Sequence, residues 1–519
     1  MNLKSLLIAS GISICYTAHS QNITFSDSNL KAILVADATI NTNLDSEIST
    51  QEAQSFGGDI RINFKKIRSM DGIEHFKNLK SLDCSFNEIQ TLDLTANTNL
   101  ESLECYSNKL TFLKVSDNEH LKSVRCQSNL LTDIDFGDNT SLENIEFGDS
   151  PTTQIDITGN SNLTKLSFYN TNISQVDLSQ NQNIVFLSCT NNKLTSLDVS
   201  NNKKLTRILC SNNQLTSIDL TTNSALLELS IYNNLLDSLA LHYVPNLVNL
   251  SCDRNNLKTL DLSHNPELSF IYCSNNQLTN LDLSQNHQVQ ILYCHYNLLT
   301  NLNLNSSSVS LTSLRCYNNI LDSLNIENCT SLDQLYCHNN KLTSLNVAEK
   351  YKLEYLYCDS NQIEHLELNK NYNLKYLSCS NNKLKTLNIK EEDSLGFLQN
   401  LISVKADKNC FKDIISNPNP TQITTFSANP NRTDCVVTGL NSSIENDRTV
   451  FCKYNQSNHT LQVFENGQLS IYDAQGSILT RKQVRSGETI FLNSTSFGLK
   501  IISLEKEKPN EIAKTKMMF

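Results

Sequence analysis

The sequence predicts a mostly β solenoid of the α/β type. A stack of 21-residue coils carries a helical N-terminal cap and is followed by a small antiparallel β-sandwich. Three observations predict it. A cysteine recurs every 21 residues, as in "LYCHNNKLTSLNV" (335–347), with Cys316 and Cys358 one interval to either side. An asparagine stands three residues after nearly every one of these positions. The spacing fails near residue 401, and from about residue 449 apolar and polar residues alternate around glycine-containing turns. Self-similarity at a fixed period of this length is the sequence signature of a repeat architecture.

Composition narrows the class. The 519 residues carry a net charge of −11, which excludes the basic footprint of a nucleic-acid-binding protein. The chain opens "MNLKSLLIASGISICYTAHSQ", with Lys4 before an apolar run from Leu6 to Ile14 and small residues Ala18 and Ser20 before Gln21. This predicts a secretory signal peptide over residues 1–20. The run is too short to span a bilayer, and the bulky Ile14 argues against lipid attachment at Cys15. No other segment has the ~18 consecutive apolar residues of a transmembrane helix.

Residues 21–59 read as the cap. Asp27 is placed to cap a helix through "NLKAILVA". "NTNLDSEISTQE" (41–52) then sets oxygen-bearing residues at the positions of an EF-hand loop. They are Asn41, Asn43, Asp45, Glu47 through its carbonyl, Ser49, and Glu52 at the twelfth position. Asn41 replaces the usual Asp, and Ser46 the usual Gly. Two readings stand: a calcium site, or a vestigial cap that holds no metal. Either covers the apolar end that a stack of repeats exposes.

Residues 60–412 carry the repeats. The cysteine column runs Cys84, Cys105, Cys126, Cys189, Cys210, Cys252, Cys273, Cys294, Cys316, Cys337, Cys358 and Cys379, with Phe147, Phe168 and Ile231 filling its gaps. A metal or disulfide site would not accept Phe or Ile, whereas an apolar slot would, because free Cys behaves as a small hydrophobe. The column is therefore expected to be core, with free thiols. The rival is a stack of disulfides between turns roughly 4.8 Å apart, which an exported protein permits. Around each cysteine the pattern is L-x-x-L-x-C-x-x-N-x-L, as in Leu332, Leu335, Cys337, Asn340 and Leu342. That is a leucine-rich repeat with Cys at a consensus Leu position. Residues 160–395 contain no Gly, so the Asn column is expected to turn the chain and satisfy its backbone. The second half of each coil reads L-x-x-L-x-L-x-x-N and supplies a second apolar ridge. A further column holds Asp93, Asp135, Asp156, Asp177, Asp198, Asp219, Asp261 and Asp282. These are expected to bond nearby turns, with a line of weak cation sites as the rival.

Leucine-rich repeats of 21 residues with a cysteine ladder resemble those of the internalin family. The resemblance covers roughly two thirds of the chain. It implies a curved solenoid that is exported, sits at a cell surface and binds host proteins or mucins. It also implies a cap like a truncated EF-hand.

Residues 413–448 read as C-terminal cap and linker, marked by "SNPNPTQITTFSANPNRTD". Cys410, Cys435 and Cys452 fall outside the ladder, and one pair among them is a candidate disulfide of undetermined connectivity. Residues 449–519 alternate as a small β-sandwich does. "IYDAQGSIL", "SFGLKIISL" and "KTKMMF" resemble elements of the C-terminal sorting domain of type IX secretion. "KYNQSNHTLQV" lacks that family's Pro-containing opening, and Lys500 stands where an aromatic usually follows the Gly. The resemblance implies the type IX machinery as partner and the outer surface of a Gram-negative bacterium as destination.

In such repeats the strand residues at −4, −3, −1, +1 and +2 from each cysteine are expected on the concave face. Most of the 17 tyrosines fall there and thicken toward the C-terminal half. Tyr272, Tyr293, Tyr336 and Tyr357 share one column; Phe270, Tyr355 and Tyr376 share the next; Tyr296 and Tyr317 lie beside them. Strands favour aromatics in any case. Earlier repeats, however, put Asp83, Glu104, Arg125 and Glu146 in the first of these columns. Exposed aromatics with a polar handle are typical anchors for protein or glycan ligands. No HExxH, GxSxG, P-loop or CxxC motif is present, so no enzyme is expected. The sequence thus points to an exported binding protein, an adhesin using an aromatic concave face. The alternative is a structural component of the cell surface or biofilm without a discrete ligand.

Overall fold

The computed structural model describes residues 21–137, 139–304, 308–388, 403–406 and 409, and then only the backbones of short strands between 413 and 518. Residues 1–20, expected to be a signal peptide, Cys410, Cys435 and most of residues 413–448 lie outside the described residues, as do the side chains of the C-terminal strands. The chain forms two compact units, residues 1–226 and 227–519.

The first unit begins with two helices. Asp27 caps Ser28–Ala36 by accepting from the backbone N–H groups of Asn29 (2.8 Å) and Leu30 (3.0 Å). Its other oxygen accepts from the Arg68 N–H (2.7 Å), which ties the helix start to the first coil. Leu30 and Leu34 are buried. Ser49 and Glu52 form a reciprocal capping box on Thr50–Ser55, satisfying donors that a helix start leaves open.

Short parallel strands then follow, one per coil in the main sheet, and some coils add a second short strand in their other half, as where Thr91–Asp93 pairs with Phe112–Lys114. Asp59–Arg61 pairs with Ser81–Asp83, which pairs with Ser102–Glu104, then Ser123–Arg125, Asn144–Gly148, Lys165–Tyr169, Phe186–Ser188 and Arg207–Leu209. The register advances one coil at a time, so equivalent residues stack in columns. The central leucine and the ladder position point inward, and Leu103, Cys105, Phe147 and Phe168 are fully buried. Phe147 and Phe168 stack at 5.8 Å where cysteines are missing, as an apolar column requires.

In the second unit the same ladder runs from Glu228–Ser230 through Asn249–Ser251, Phe270–Tyr272, Ile291–Tyr293, Ser313–Arg315, Gln334–Tyr336 and Tyr355–Tyr357 to Tyr376–Ser378. One further strand, Ser403–Lys405, pairs with Tyr376–Ser378. Ala406 is buried at the ladder position, and Asn409 donates to the Cys379 carbonyl at 2.9 Å. The repeat therefore persists through one longer coil after its spacing fails. Beyond it, Cys452–Asn455, Thr460–Val463 and Thr489–Phe491 pair antiparallel. So do Ile478–Val484, Gly467–Tyr472, Ile501–Lys506 and Thr515–Met518.

All described ladder cysteines are free, buried thiols. Burial pushes the thiols of Cys126, Cys210 and Cys316 up to about 12, so they stay protonated and inert. Cys329, outside the column, is also free and buried.

The asparagine ladder satisfies the backbone as expected. Asn276 donates to the carbonyls of Cys252 (3.0 Å), Cys273 (3.1 Å) and Ser274 (3.2 Å), and its Oδ1 accepts from the Leu257 N–H (3.1 Å). Each such residue ties its coil to the one before. The turning itself needs correction. The left-handed residue is the one preceding the ladder asparagine: Phe86, Ser107, Asn191, Arg254, Tyr296 and Asn339 are examples, with φ between 52° and 56°. The ladder asparagine keeps an ordinary backbone, because its amide must reach inward. A second ladder ends the other half of the coil, where Asn202 donates to Leu178 and Asn181, and Asn286 to Leu262 and Asn265.

The Asp column does bond its own turns. One oxygen each of Asp93, Asp177, Asp219 and Asp282 accepts from the N–H two residues on, at 2.8–3.0 Å. That backbone hydrogen bond lowers Asp177 and Asp219, outweighing repulsion from neighbouring carboxylates.

Candidate functional site

The open face of the second unit's strands gathers most of the predicted residues. Leu292, Leu335 and Leu356 point into the core, while the residues flanking them stay half exposed. Backbone register aligns Tyr272, Tyr293, Arg315, Tyr336 and Tyr357 in one column. Phe270, Ile291, Ser313, Gln334, Tyr355 and Tyr376 form the next.

Along the first column Tyr272 meets Tyr293 edge-on at 5.2 Å. The Arg315 guanidinium lies 4.3 Å from the Tyr293 ring centre and 5.0 Å from that of Tyr336. Tyr336 and Tyr357 stack at 4.8 Å, only 7° from parallel. In the second column Tyr355 and Tyr376 stack at 5.0 Å and 9°. A third column, just past the cysteines, stacks His295 on Tyr317 (4.4 Å) and Tyr317 on His338 (4.3 Å). Tyr296 is the exception among the predicted residues. It lies past the strand end, in the left-handed turn position, and is 52% exposed. It still touches Tyr317 edge-on at 5.5 Å.

Electrostatics shape this face. Burial raises the phenols of Tyr272, Tyr317, Tyr336 and Tyr357, which keeps them protonated as hydrogen-bond donors. Burial, then the charge of Arg315, then His338 hold His295 down at about 4, so its imidazole is neutral near pH 7. Its Nδ1 lies 2.9 Å from the Ser274 hydroxyl. Arg315 forms no ion pair among the described residues, and its Nε is buried without a partner. Arg315 interrupts the aromatic pattern of its column and so is not among the residues that the tyrosine spacing marks. Its place one residue before Cys316 was the available signal.

The first unit's face is different. Its column runs Asp83, Glu104, Arg125, Glu146 and Ser167. Arg125 lies 3.4 Å from Glu104 and 3.5 Å from Glu146, which Lys165 also approaches at 3.5 Å. At the N-terminal edge Phe64 and Phe86 stack at 4.1 Å, a pairing the sequence did not single out.

The EF-hand-like residues come together, but around hydrogens. Glu52 Oε1 accepts from the N–H of Thr42 (2.9 Å) and Asn43 (3.2 Å), and Oε2 from the Ser49 N–H (2.9 Å) and hydroxyl (2.8 Å). Burial raises the Glu52 carboxyl, but these bonds outweigh it and leave it lowered. Asn43 and Asp45 bond each other, Asn41 donates to the carbonyls of Val35 and Asp45, and the Glu47 carboxylate pairs with Lys31 at 2.6 Å. Asn41 Oδ1 is buried without a partner. In this arrangement the Glu47 and Glu52 carboxylates are turned to donors of the chain itself, while Asn41 Oδ1, at the first position of the loop, is left open. Among the described residues no cluster of three or more His, Cys, Asp or Glu side chains is placed to hold a metal, and no helix is long and apolar enough to cross a membrane.

The architecture is a leucine-rich-repeat solenoid. No protein-family model and no curated protein matches the chain. Solved structures do. The functional domain of InlJ from Listeria monocytogenes, described as including a cysteine ladder, is 24% identical with a TM-score of 0.55, over 96% of this chain and 98% of that one. YopM from Yersinia enterocolitica is 20% identical with a TM-score of 0.53, over 72% and 92%. The ectodomain of the Arabidopsis receptor kinase HAESA, in complex with a peptide hormone ligand, is 20% identical with a TM-score of 0.51, over 68% and 63%. These likenesses establish the fold.

Proposed function

We propose that the chain is an exported leucine-rich-repeat binding protein, a secreted or surface adhesin that recognises a protein or glycan ligand through the open strand face of its second unit. The observation that carries this is the column Tyr272, Tyr293, Arg315, Tyr336 and Tyr357, with its flanking stacks. Aligned, half-buried tyrosines lose little further freedom on binding, and their hydroxyls face a partner. The HAESA ectodomain shares the fold and takes a peptide, which supports a recognition role without catalysis. The antiparallel pairing of Gly467–Tyr472 with Ile478–Val484 and Ile501–Lys506 supports the type IX sorting reading, and with it export to the outer surface of a Gram-negative cell.

The test is binding of the full chain to arrayed glycans, mucins and extracellular proteins, beside a variant carrying Tyr336→Ala, Tyr355→Ala and Tyr357→Ala. The expected result is a ligand that the variant loses while its thermal melt stays cooperative. A ligand that the variant keeps, or no ligand at all, would favour a structural role at the cell surface or in a biofilm.

A further inference from the structure

The choice between protein and glycan rests on the recognition role just proposed, and the stacking geometry bears on it. Sugar rings need free aromatic faces, and here many faces are already covered. Tyr336 has Arg315 on one side and Tyr357 on the other. Tyr317 is held between His295 and His338, and Tyr355 and Tyr376 cover each other. The stacks therefore offer ring edges and hydroxyls outward, which suit hydrogen bonding to a peptide better than stacking under a pyranose.

Arg315 adds charge. The arginine of the first unit's column, Arg125, already has two carboxylate neighbours, Glu104 and Glu146. Arg315 sits in the equivalent column between two tyrosines, with no carboxylate partner among the described residues. Three carboxylates of this face are otherwise engaged. Asp253 accepts from the Ser274 N–H (2.8 Å), Asp359 from the Ser378 hydroxyl (2.6 Å) and Ser380 N–H (2.9 Å), and Glu354 pairs with Lys375 (2.7 Å). Aromatic flanks hold a guanidinium in place and strip part of its water, leaving its planar fork for a bidentate carboxylate.

We propose that Arg315 is the anchor for a carboxylate on an extended acidic peptide segment of a partner protein. The columns at −3, −1 and +1 lie two residues apart along each strand, roughly 6.6 Å, which is also the spacing of alternate side chains in an extended peptide. A segment laid along the strands then places one acidic side chain on Arg315 and its neighbours against the flanking columns.

The test uses the full chain and three labelled probes: decaglutamate, decaglutamine and a hyaluronan oligosaccharide, an anionic glycan. Decaglutamate should bind more tightly than the other two. Arg315→Gln should weaken it by about tenfold or more, the worth of a charge-assisted hydrogen bond. Arg125→Gln should change it by less than about twofold, as for an exposed ion pair removed at a distance. Equal affinity in Arg315→Gln, an equal loss in Arg125→Gln, or no decaglutamate binding would overturn the proposal. Hyaluronan binding as tight as decaglutamate would overturn its peptide half. If an arrayed ligand is lost with the tyrosine variant but kept by Arg315→Gln, the recognition face stands and the anchor falls.

Discussion

In the first unit, Asp83, Glu104, Arg125 and Glu146 succeed one another along the column before the cysteines; in the second, that column runs Tyr272, Tyr293, Arg315, Tyr336 and Tyr357. The scaffold beneath is the same in both. Asn129 bonds the carbonyls of Cys105, Cys126 and Gln127, and Asn297 those of Cys273, Cys294 and His295. What differs is the chemistry on the exposed positions. The early face neutralises its own charges, whereas the late face assembles rings around an uncompensated guanidinium. A repeat scaffold holds its surface positions free of structural duty, so such a divergence points to function.

The largest expected effect tests the shared scaffold. Asn129→Ala and Asn297→Ala each leave several buried backbone groups unpaired, at a cost of about 3 kcal/mol or more. Hydrogen exchange, which reads each region separately, should show similar losses around both sites. A loss confined to one unit would break the comparison at its base.

Binding comes next. Removing three stacked tyrosines should weaken a ligand by about a hundredfold, as truncation of hot-spot aromatics does. Glu104→Ala, Arg125→Ala and Glu146→Ala together should leave affinity within a few fold, because exposed ion pairs contribute little.

A smaller effect sharpens the contrast through pH. His295 is held at about 4 in the fold against an ordinary value of 6.5. A depressed base binds fewer protons folded than unfolded, so stability rises with pH between these values. The stability is full above about pH 6.5 and is lost as pH falls toward 4. His295→Gln should flatten this part of the melting-temperature profile, and an unchanged slope would contradict the burial assigned to that ring.

The smallest expected effect is at the N-terminal loop. With Glu52 occupied by backbone and hydroxyl donors, millimolar calcium should leave the melting temperature of the full chain unchanged. A calcium-dependent rise abolished by Glu52→Gln would restore the metal reading.

Much of the fold was legible because its determinants are periodic. Leucine, cysteine and asparagine repeat, and the interruptions at Phe147, Phe168 and Ile231 revealed an apolar slot. The left-handed turn position was not legible. Asn holds it in many coils, Asn191, Asn212 and Asn339 among them, but Ser107, Phe86, Arg254 and Tyr296 hold it elsewhere, so its column is less regular than that of the neighbouring asparagine. The last coil is less plainly written, because extra residues shift Ala406 and Asn409 out of the 21-residue spacing. For the site, spacing aligned Tyr272 with Tyr293 and Tyr336 with Tyr357 as the strand register does, but it missed the turn position of Tyr296 and said nothing of ring orientation. That the faces of Tyr336 and Tyr317 are covered follows from χ angles, which no spacing encodes. Arg315 is legible only once its column is read for charge as well as for rings.

The central claim is that recognition belongs to the later strand face and not the earlier one. The most direct measurement is ligand affinity in two matched triple variants of the full chain, the tyrosine set at 336, 355 and 357 and the charge set at 104, 125 and 146. The account predicts that the first loses the ligand and the second keeps it, with both retaining the wild-type melt. Equal loss in both, or loss in the charge set alone, would contradict it.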